Sequence, residues 1–148
     1  MQLNHLSLYG NQLAGPIPMT FGNLTRLNDL SLSSNQLAGP IPSTLGLLTH
    51  LTALSLDNNR LAFTTIPSTL GNLVQLTLLS LYNSQLTGSI PSTLRNLTQL
   101  NGLWMSFNQL TGPAPSALGN LVKLTSVWLN TNQLTGIATI YSWPDRQP

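Results

Sequence analysis

Leucine recurs along this chain at fixed steps. Leu3, Leu6, Leu8 and Leu13, with Asn11 among them, return as Leu27, Leu30, Leu32 and Leu37 with Asn35. The pattern opens again at Leu51, Leu76, Leu100 and Leu124, so the six starts lie 24, 24, 25, 24 and 24 residues apart. Each unit reads LxxLxLxxNxL, then Ala or Thr, Gly, a variable residue and Ile-Pro, and closes on a Leu-Gly-Asn-Leu-like segment. Leu37-Ala38-Gly39-Pro40-Ile41-Pro42 and Leu70-Gly71-Asn72-Leu73 are examples. A repeat of about 20–29 residues with this spacing implies one coil of a solenoid per unit, each burying its apolar face on its neighbours. Alternate side chains of LxL point the same way, so that stretch is a short strand with one buried face. Strands of successive coils then stack ~4.8 Å apart in a parallel concave sheet.

The Asn after each strand turns inward, where its amide satisfies backbone groups of the turn and of the adjoining coil. Asn11, Asn35, Asn59, Asn108 and Asn132 form this ladder, while the fourth unit has Ser84 and is expected to be weaker there. Gly-x-Ile-Pro favours an extended outer segment, because Pro fixes its own φ and keeps the preceding residue extended. The Pro-Ser-Thr-Leu-Gly stretch suits a short helical turn, with Ser as its cap and Gly as its end.

The LTGxIP-type outer segment resembles the plant-type leucine-rich repeat over residues 3 to about 138. That family includes receptor-kinase ectodomains, polygalacturonase-inhibiting proteins and a plant antifreeze protein. The resemblance implies an α/β solenoid: a right-handed curved superhelix of six coils with a parallel concave sheet, a mostly irregular or short-helical convex side and a second, smaller sheet. One domain spans residues 1–148, with a tail over 139–148. The chain departs from the family in several places. It lacks the paired-cysteine caps, having no Cys at all. The third unit inserts a residue and runs Ala62-Phe63-Thr64-Thr65-Ile66-Pro67 where others have Gly, which predicts a bulged outer edge. Arg95 replaces Gly, Ala114 replaces Ile, and the last unit loses its Ile-Pro. Tyr141 and Trp143 of the tail are expected to cover part of the final coil. Solenoid ends normally carry polar caps. The uncapped start at Met1-Gln2-Leu3 therefore suggests a fragment, or a subunit that associates through its ends.

Composition narrows the chemistry. The sequence has 5 Lys and Arg against 3 Asp and no Glu, whereas a globular domain is about a quarter charged. Arg26, Arg60, Arg95, Lys123 and Arg146 are scattered, so no basic stripe exists to displace the counterions of a nucleic acid. Without Cys, and with 2 His, the ligands of a transition-metal site are lacking; no metal or cofactor is expected. No run approaches the roughly 18 apolar residues of a membrane span. A secretory leader's basic and apolar regions are also missing from the start, so an extracellular or cell-surface location follows from the resemblance alone. His5 and Asp29 share a column beside Ser7 and Ser31, the residue types of a hydrolase triad. An open strand supplies neither oxyanion hole nor pocket, so no catalytic residue and no enzyme activity are expected.

The repeat register also sorts the exposed side chains into columns. Between the inward leucines stand Ser7, Ser31, Ser55, Ser80, Trp104 and Trp128; next come Tyr9, Ser33, Asp57, Tyr82, Ser106 and Asn130. Gly10, Ser34, Asn58, Asn83, Phe107 and Thr131 follow. Trp104, Trp128, Tyr82 and Phe107, with Tyr9 and Asp57 nearby, form the candidate ligand-binding face, since rigid aromatics beside polar groups favour recognition. Its expected partner is a protein or peptide, or a glycan. An alternative is ice binding by ladders of small groups ~4.8 Å apart: Thr20, Thr44, Thr69 and Thr93 in one column, and Ala14, Ala38, Ala62, Thr87, Thr111 and Thr135 in another. Asn23-Leu24-Thr25 and Asn96-Leu97-Thr98 are N-glycosylation candidates if the chain is secreted.

Overall fold

The computed structural model describes residues 3–114 and 116–136. The expected cover of the final coil by Tyr141 and Trp143 lies outside these residues. Six three-residue strands, His5–Ser7, Asp29–Ser31, Ala53–Ser55, Leu78–Ser80, Gly102–Trp104 and Ser126–Trp128, form one parallel sheet in sequence order. The pairing extends past the strand ends through Leu8 N–H to Ser31 O (2.8 Å), Leu32 N–H to Ser55 O (2.8 Å) and Leu81 N–H to Trp104 O (2.7 Å). Behind the sheet, the middle residue of each inner strand is fully buried among leucines of the neighbouring coils. Truncating one of them, such as Leu79→Ala, removes about 2–5 kcal/mol of stability. In the first unit the core thins: Leu3 and Leu13 are exposed, whereas their equivalents Leu27 and Leu37 are buried.

At the end of each strand the chain passes through a left-handed residue: Gly10, Ser34, Asn58, Asn83, Phe107 and Thr131 have φ between 48° and 70°. This turns the next residue toward the core, buried as Asn35, Asn59, Ser84 and Asn108, whereas Asn11 in the first unit stays exposed. Asn59 shows the consequence: its Nδ2 donates to Leu32 O (3.0 Å), Leu56 O (2.9 Å) and Asp57 O (3.2 Å), and its Oδ1 accepts from Leu37 N–H (3.0 Å). Ser84 reaches two carbonyls, Leu56 O (3.0 Å) and Tyr82 O (3.2 Å), with its single hydrogen. The rung at that unit is thus thinner, as its side chain predicts.

The helical turns differ from expectation in their caps. Five 3-10 helices, Met19–Asn23, Ser43–Leu47, Ser68–Asn72, Ser92–Asn96 and Ser116–Asn120, line the outer edge. Where the cap is described it is the Pro before the helix, with no side-chain cap bond, so Ser does not cap. The Pro carbonyl accepts instead, as in Leu45 N–H to Pro42 O (3.0 Å). Nor does Gly end the turn; Leu48 closes it, and Gly46 sits inside. A Cβ on Gly46 would lie 2.5 Å from Thr69 O of the next coil. Close approach between coils, and not a left-handed cap, explains that glycine.

The second sheet is broken. Ala14–Gly15 pairs with Gln36–Leu37, and Thr87–Ser89, Gln109–Pro113 and Gln133–Thr135 form a separate three-stranded piece. Between them only the bridges Ala38↔Arg60 and Thr65↔Thr87 occur. The interruption falls on the inserted residue of the third unit, where Phe63 takes a left-handed φ of 59° and is 86% exposed. Its register is also slipped: Thr111 faces Gln133 and Ser89, not Thr135 and Thr87. Equivalent residues therefore step two places along the strand at each coil, roughly 8 Å apart instead of ~4.8 Å. The column from Ala14 to Thr135 is not the lateral ladder that the repeat alone suggested.

Candidate functional site

On the concave sheet the columns fall where the repeat places them: Ser7, Ser31, Ser55, Ser80, Trp104 and Trp128 are successive partners. The four candidate aromatics resolve into two pairs. Trp104 and Trp128 stack with ring centroids 5.1 Å apart and planes inclined by 21°. Tyr82 and Phe107 meet edge to face at 5.3 Å and 63°. Such pairs contribute about 0.5–1.5 kcal/mol beyond area burial, yet Trp128 and Phe107 remain 49% and 47% exposed. Trp104 Nε1 donates to Ser126 Oγ at 3.1 Å, which fixes the indole. Gly102 lies beside it: a Cβ there would sit 3.6 Å from Nε1, an ordinary contact, and 2.9 Å from Leu78 Cδ1, so the Leu78 side chain is its close neighbour. Neither Gly102 nor Ser126 was singled out from sequence. Their signal was available, since both occupy the concave column two residues before a Trp.

Asp57 adjoins the aromatic pairs. Its Oδ1 accepts from Ser33 Oγ (2.7 Å) and Ser80 Oγ (2.8 Å), and its Oδ2 from Asn58 Nδ2 (3.0 Å). Asn83 Nδ2 extends the network to Asn58 Oδ1 (3.0 Å). Asn58 N–H bonds Tyr82 O at 2.9 Å, so Asp57 and Tyr82 stand on adjacent coils. Tyr9 does not join this group: it lies in the first unit, two coils from Asp57, and is 64% exposed. His5 and Asp29 face each other in register, but no bond links them to each other or to Ser7 or Ser31. His50 is exposed on the outer side and its Nδ1 lies 3.1 Å from Thr25 O.

The outer Thr column is committed to packing. Thr44, Thr69 and Thr93 are half-buried, and their hydroxyls donate to Met19 O (2.7 Å), Ser43 O (2.8 Å) and Ser68 O (2.7 Å) of the preceding coil. Thr20, in the first turn, is exposed. Asn23 and Asn96 are exposed at the ends of their 3-10 helices, off the concave sheet. Among the described residues no group of His, Asp or Glu could hold a metal ion, and no helix is long and apolar enough to cross a membrane.

The sequence profile of the leucine-rich repeat region matches residues 1–146. Among solved structures, the chain is similar to the ectodomain of the Arabidopsis receptor kinase HAESA, in complex with a peptide hormone and a co-receptor. Identity is 40%, the TM-score 0.84, and the match covers 88% of this chain and 22% of that one. It is also similar to the ectodomain of GASSHO1/SCHENGEN3 from Arabidopsis thaliana in complex with CASPARIAN STRIP INTEGRITY FACTOR 2 (43% identity, TM-score 0.87, 94% of this chain and 17% of that one). A plant ice-binding protein matches at 34% identity and TM-score 0.83, over 88% of this chain and 43% of its own. The chain thus spans about a fifth of the length of the two receptor ectodomains. No functionally curated protein matches it significantly.

Proposed function

The chain belongs to the plant-type leucine-rich-repeat family, and from that premise we propose that it is a non-enzymatic recognition module whose concave face binds a peptide or protein. The observation that carries this reading is the half-exposed Trp104–Trp128 stack beside the Tyr82–Phe107 pair. Rigid aromatics lose little conformational entropy on binding and offer large apolar area, which is why they recur at recognition hot spots. Phe107 adds support. It holds a left-handed φ of 58°, which costs a residue with a bulky side chain roughly 1–2 kcal/mol. Gly, Ser or Asn at the same place in earlier units avoids or lowers that cost, so the aromatic is kept against the local backbone preference. Peptide-bound receptor ectodomains among the similar structures point the same way, and imply an extracellular or cell-surface setting.

The test is a secreted-peptide library screened against the chain and against the double variant Trp104→Ala, Trp128→Ala. Peptides retained by the parent and lost by the variant are expected, with melting temperatures of the two proteins compared to exclude unfolding. Binding that survives the double substitution places the ligand elsewhere and overturns the assignment.

A second reading, ice binding through Thr20, Thr44, Thr69 and Thr93, draws support from the likeness to a plant ice-binding protein. The intercoil bonds of three of these hydroxyls weigh against it. An ice-recrystallisation assay decides: inhibition lost in Thr20→Lys, the exposed member of the column, favours ice binding, and no inhibition by the parent chain ends that reading.

A further inference from the structure

Among the described residues the charges are sorted by face. The two carboxylates among the described residues, Asp29 and Asp57, both belong to the concave face: Asp29 begins a strand, and Asp57 follows one by two residues. Every described Arg and Lys lies off that face. Arg60 is bridged into the second sheet and Arg95 sits in a 3-10 helix. Arg26 and Lys123 occupy the turns ahead of strands, where Lys123 bonds Gln99 Oε1. A chain with a formal charge of +2, counted with neutral His, thus presents a concave face on which, among the described Asp, Arg and Lys residues, the formally charged groups are the carboxylates of Asp29 and Asp57.

Asp57 is also held in place. Ser33 and Ser80, 3% and 2% exposed, both donate to Oδ1, and Asn58 donates to Oδ2. All three donors are neutral, so the carboxylate is oriented but its charge is not compensated. A carboxylate has about four acceptor positions, and three are filled. Tyr82 stands on the next coil, and Trp104 and Trp128 on the two beyond it. Asp57 also lies two residues further along the strand than the tryptophan column, so it is about 12 Å from Trp104 and about 16 Å from Trp128, which about four or five residues of extended chain would span.

We propose that the concave face takes an extended peptide that sets a Lys or Arg side chain on Asp57 and, about four or five residues away, a bulky apolar side chain against Trp104 and Trp128. This rests on the concave-face reading above and specifies its ligand. The cation completes the one oriented, uncompensated carboxylate beside the aromatics. The ring of Tyr82 on the adjacent coil adds a face on which a guanidinium or ammonium group can lie.

The experiment selects a displayed random-sequence peptide library against the intact chain at physiological salt. The chain's own positive charge would by itself favour acidic peptides, so enrichment of Lys or Arg ahead of or behind an apolar residue is a discriminating result. A synthetic peptide from the selected pool should then bind Asp57→Asn at least about tenfold more weakly, the usual difference between a charge-assisted and a neutral hydrogen bond. Replacing that peptide's Arg by citrulline, which keeps shape and removes charge, should weaken binding to the parent chain equally and does not depend on how the variant folds. Selected peptides that need Trp104 and Trp128 but show no cation preference overturn this inference and leave the concave-face reading standing. Peptides whose binding is indifferent to the tryptophans overturn both.

Discussion

Replacing Asn108 by Ala should be among the most damaging single changes in this chain. Asn108 is 9% exposed and serves both neighbouring turns. Its Oδ1 accepts from Ser84 N–H at 3.1 Å and Leu86 N–H at 2.9 Å. Its Nδ2 donates to Leu81 O (2.8 Å), Met105 O (3.0 Å) and Ser106 O (3.3 Å). Asn108→Ala strands both N–H groups, each at about 1–3 kcal/mol when no water reaches it. The carbonyls lose less, because two amide hydrogens were shared among three of them. The sum is roughly 3–6 kcal/mol, a large part of the ~5–15 kcal/mol that holds a domain folded. Two controls set the scale. Ser84→Ala removes one hydroxyl and should cost about 1 kcal/mol. Asn11→Ala, at an exposed site bonding only Leu8 O and Tyr9 O, should stay within about 0.5 kcal/mol of the parent.

Urea unfolding followed by far-ultraviolet circular dichroism reads all three. The midpoints should fall in the order Asn108→Ala, Ser84→Ala, Asn11→Ala. Coils of a solenoid are stabilised only by their neighbours, so loss of this rung should also divide the transition, seen as a lower slope or a second step. If Asn108→Ala and Ser84→Ala destabilise equally, within about 0.5 kcal/mol, the ladder is decoration and the leucines alone hold the coils in register.

Gly46→Ala should cost about 1–3 kcal/mol by overpacking; because the nearest obstacle is the backbone oxygen of Thr69 at 2.5 Å, adding Thr69→Ala should not restore the melting temperature. Phe63→Asn should raise the melting temperature slightly, by the equivalent of ~0.5–1 kcal/mol, since Phe63 is 86% exposed at a φ of 59° and Asn tolerates that conformation; a fall would mean that the ring is packed. Expression through a eukaryotic secretory pathway should attach glycans at Asn23 and Asn96, read as two mass steps removed one at a time by Thr25→Ala and Thr98→Ala, and an unmodified chain would refute the surface assignment of both sequons.

The concave sheet was legible because its period is that of the repeat: residues one unit apart are bonded neighbours, so a column in the sequence is a column in space. The Trp104–Trp128 stack followed directly, whereas the Tyr82–Phe107 contact crosses between two columns and did not. The second sheet was not legible, because residue 111 pairs with 133 and not with 135. The slip is a property of how successive outer strands pair, and no side-chain pattern within a unit records it. The roles of Gly46 and Thr69 were missed for the opposite reason. Each was read within its own unit, as a helix end and as a surface hydroxyl, although the two meet between units. Asp57 was visible as an isolated charge, but its anchoring required knowing that Ser33 and Ser80 flank it on both sides.

Why the site survives an irregular chain follows from where the irregularity is absorbed. The third unit carries one residue more than its neighbours, yet the concave pairing passes through it unbroken: Ala53, Leu54 and Ser55 meet Leu78, Leu79 and Ser80. A one-residue slip there would have turned Ser80 inward and moved every later concave side chain to the core face. It would have separated Asp57 from Ser80 and Trp104 from its column. The extra residue is taken up instead around Phe63, where the second sheet breaks and the backbone becomes left-handed. Leucines and Asn rungs on both sides fix the concave register with many buried contacts. The outer strand at that point is tied by single bridges, so it yields first. Variation between coils is therefore tolerated on the outer edge, and the alignment of Asp57 with the tryptophans depends on that difference in local stability.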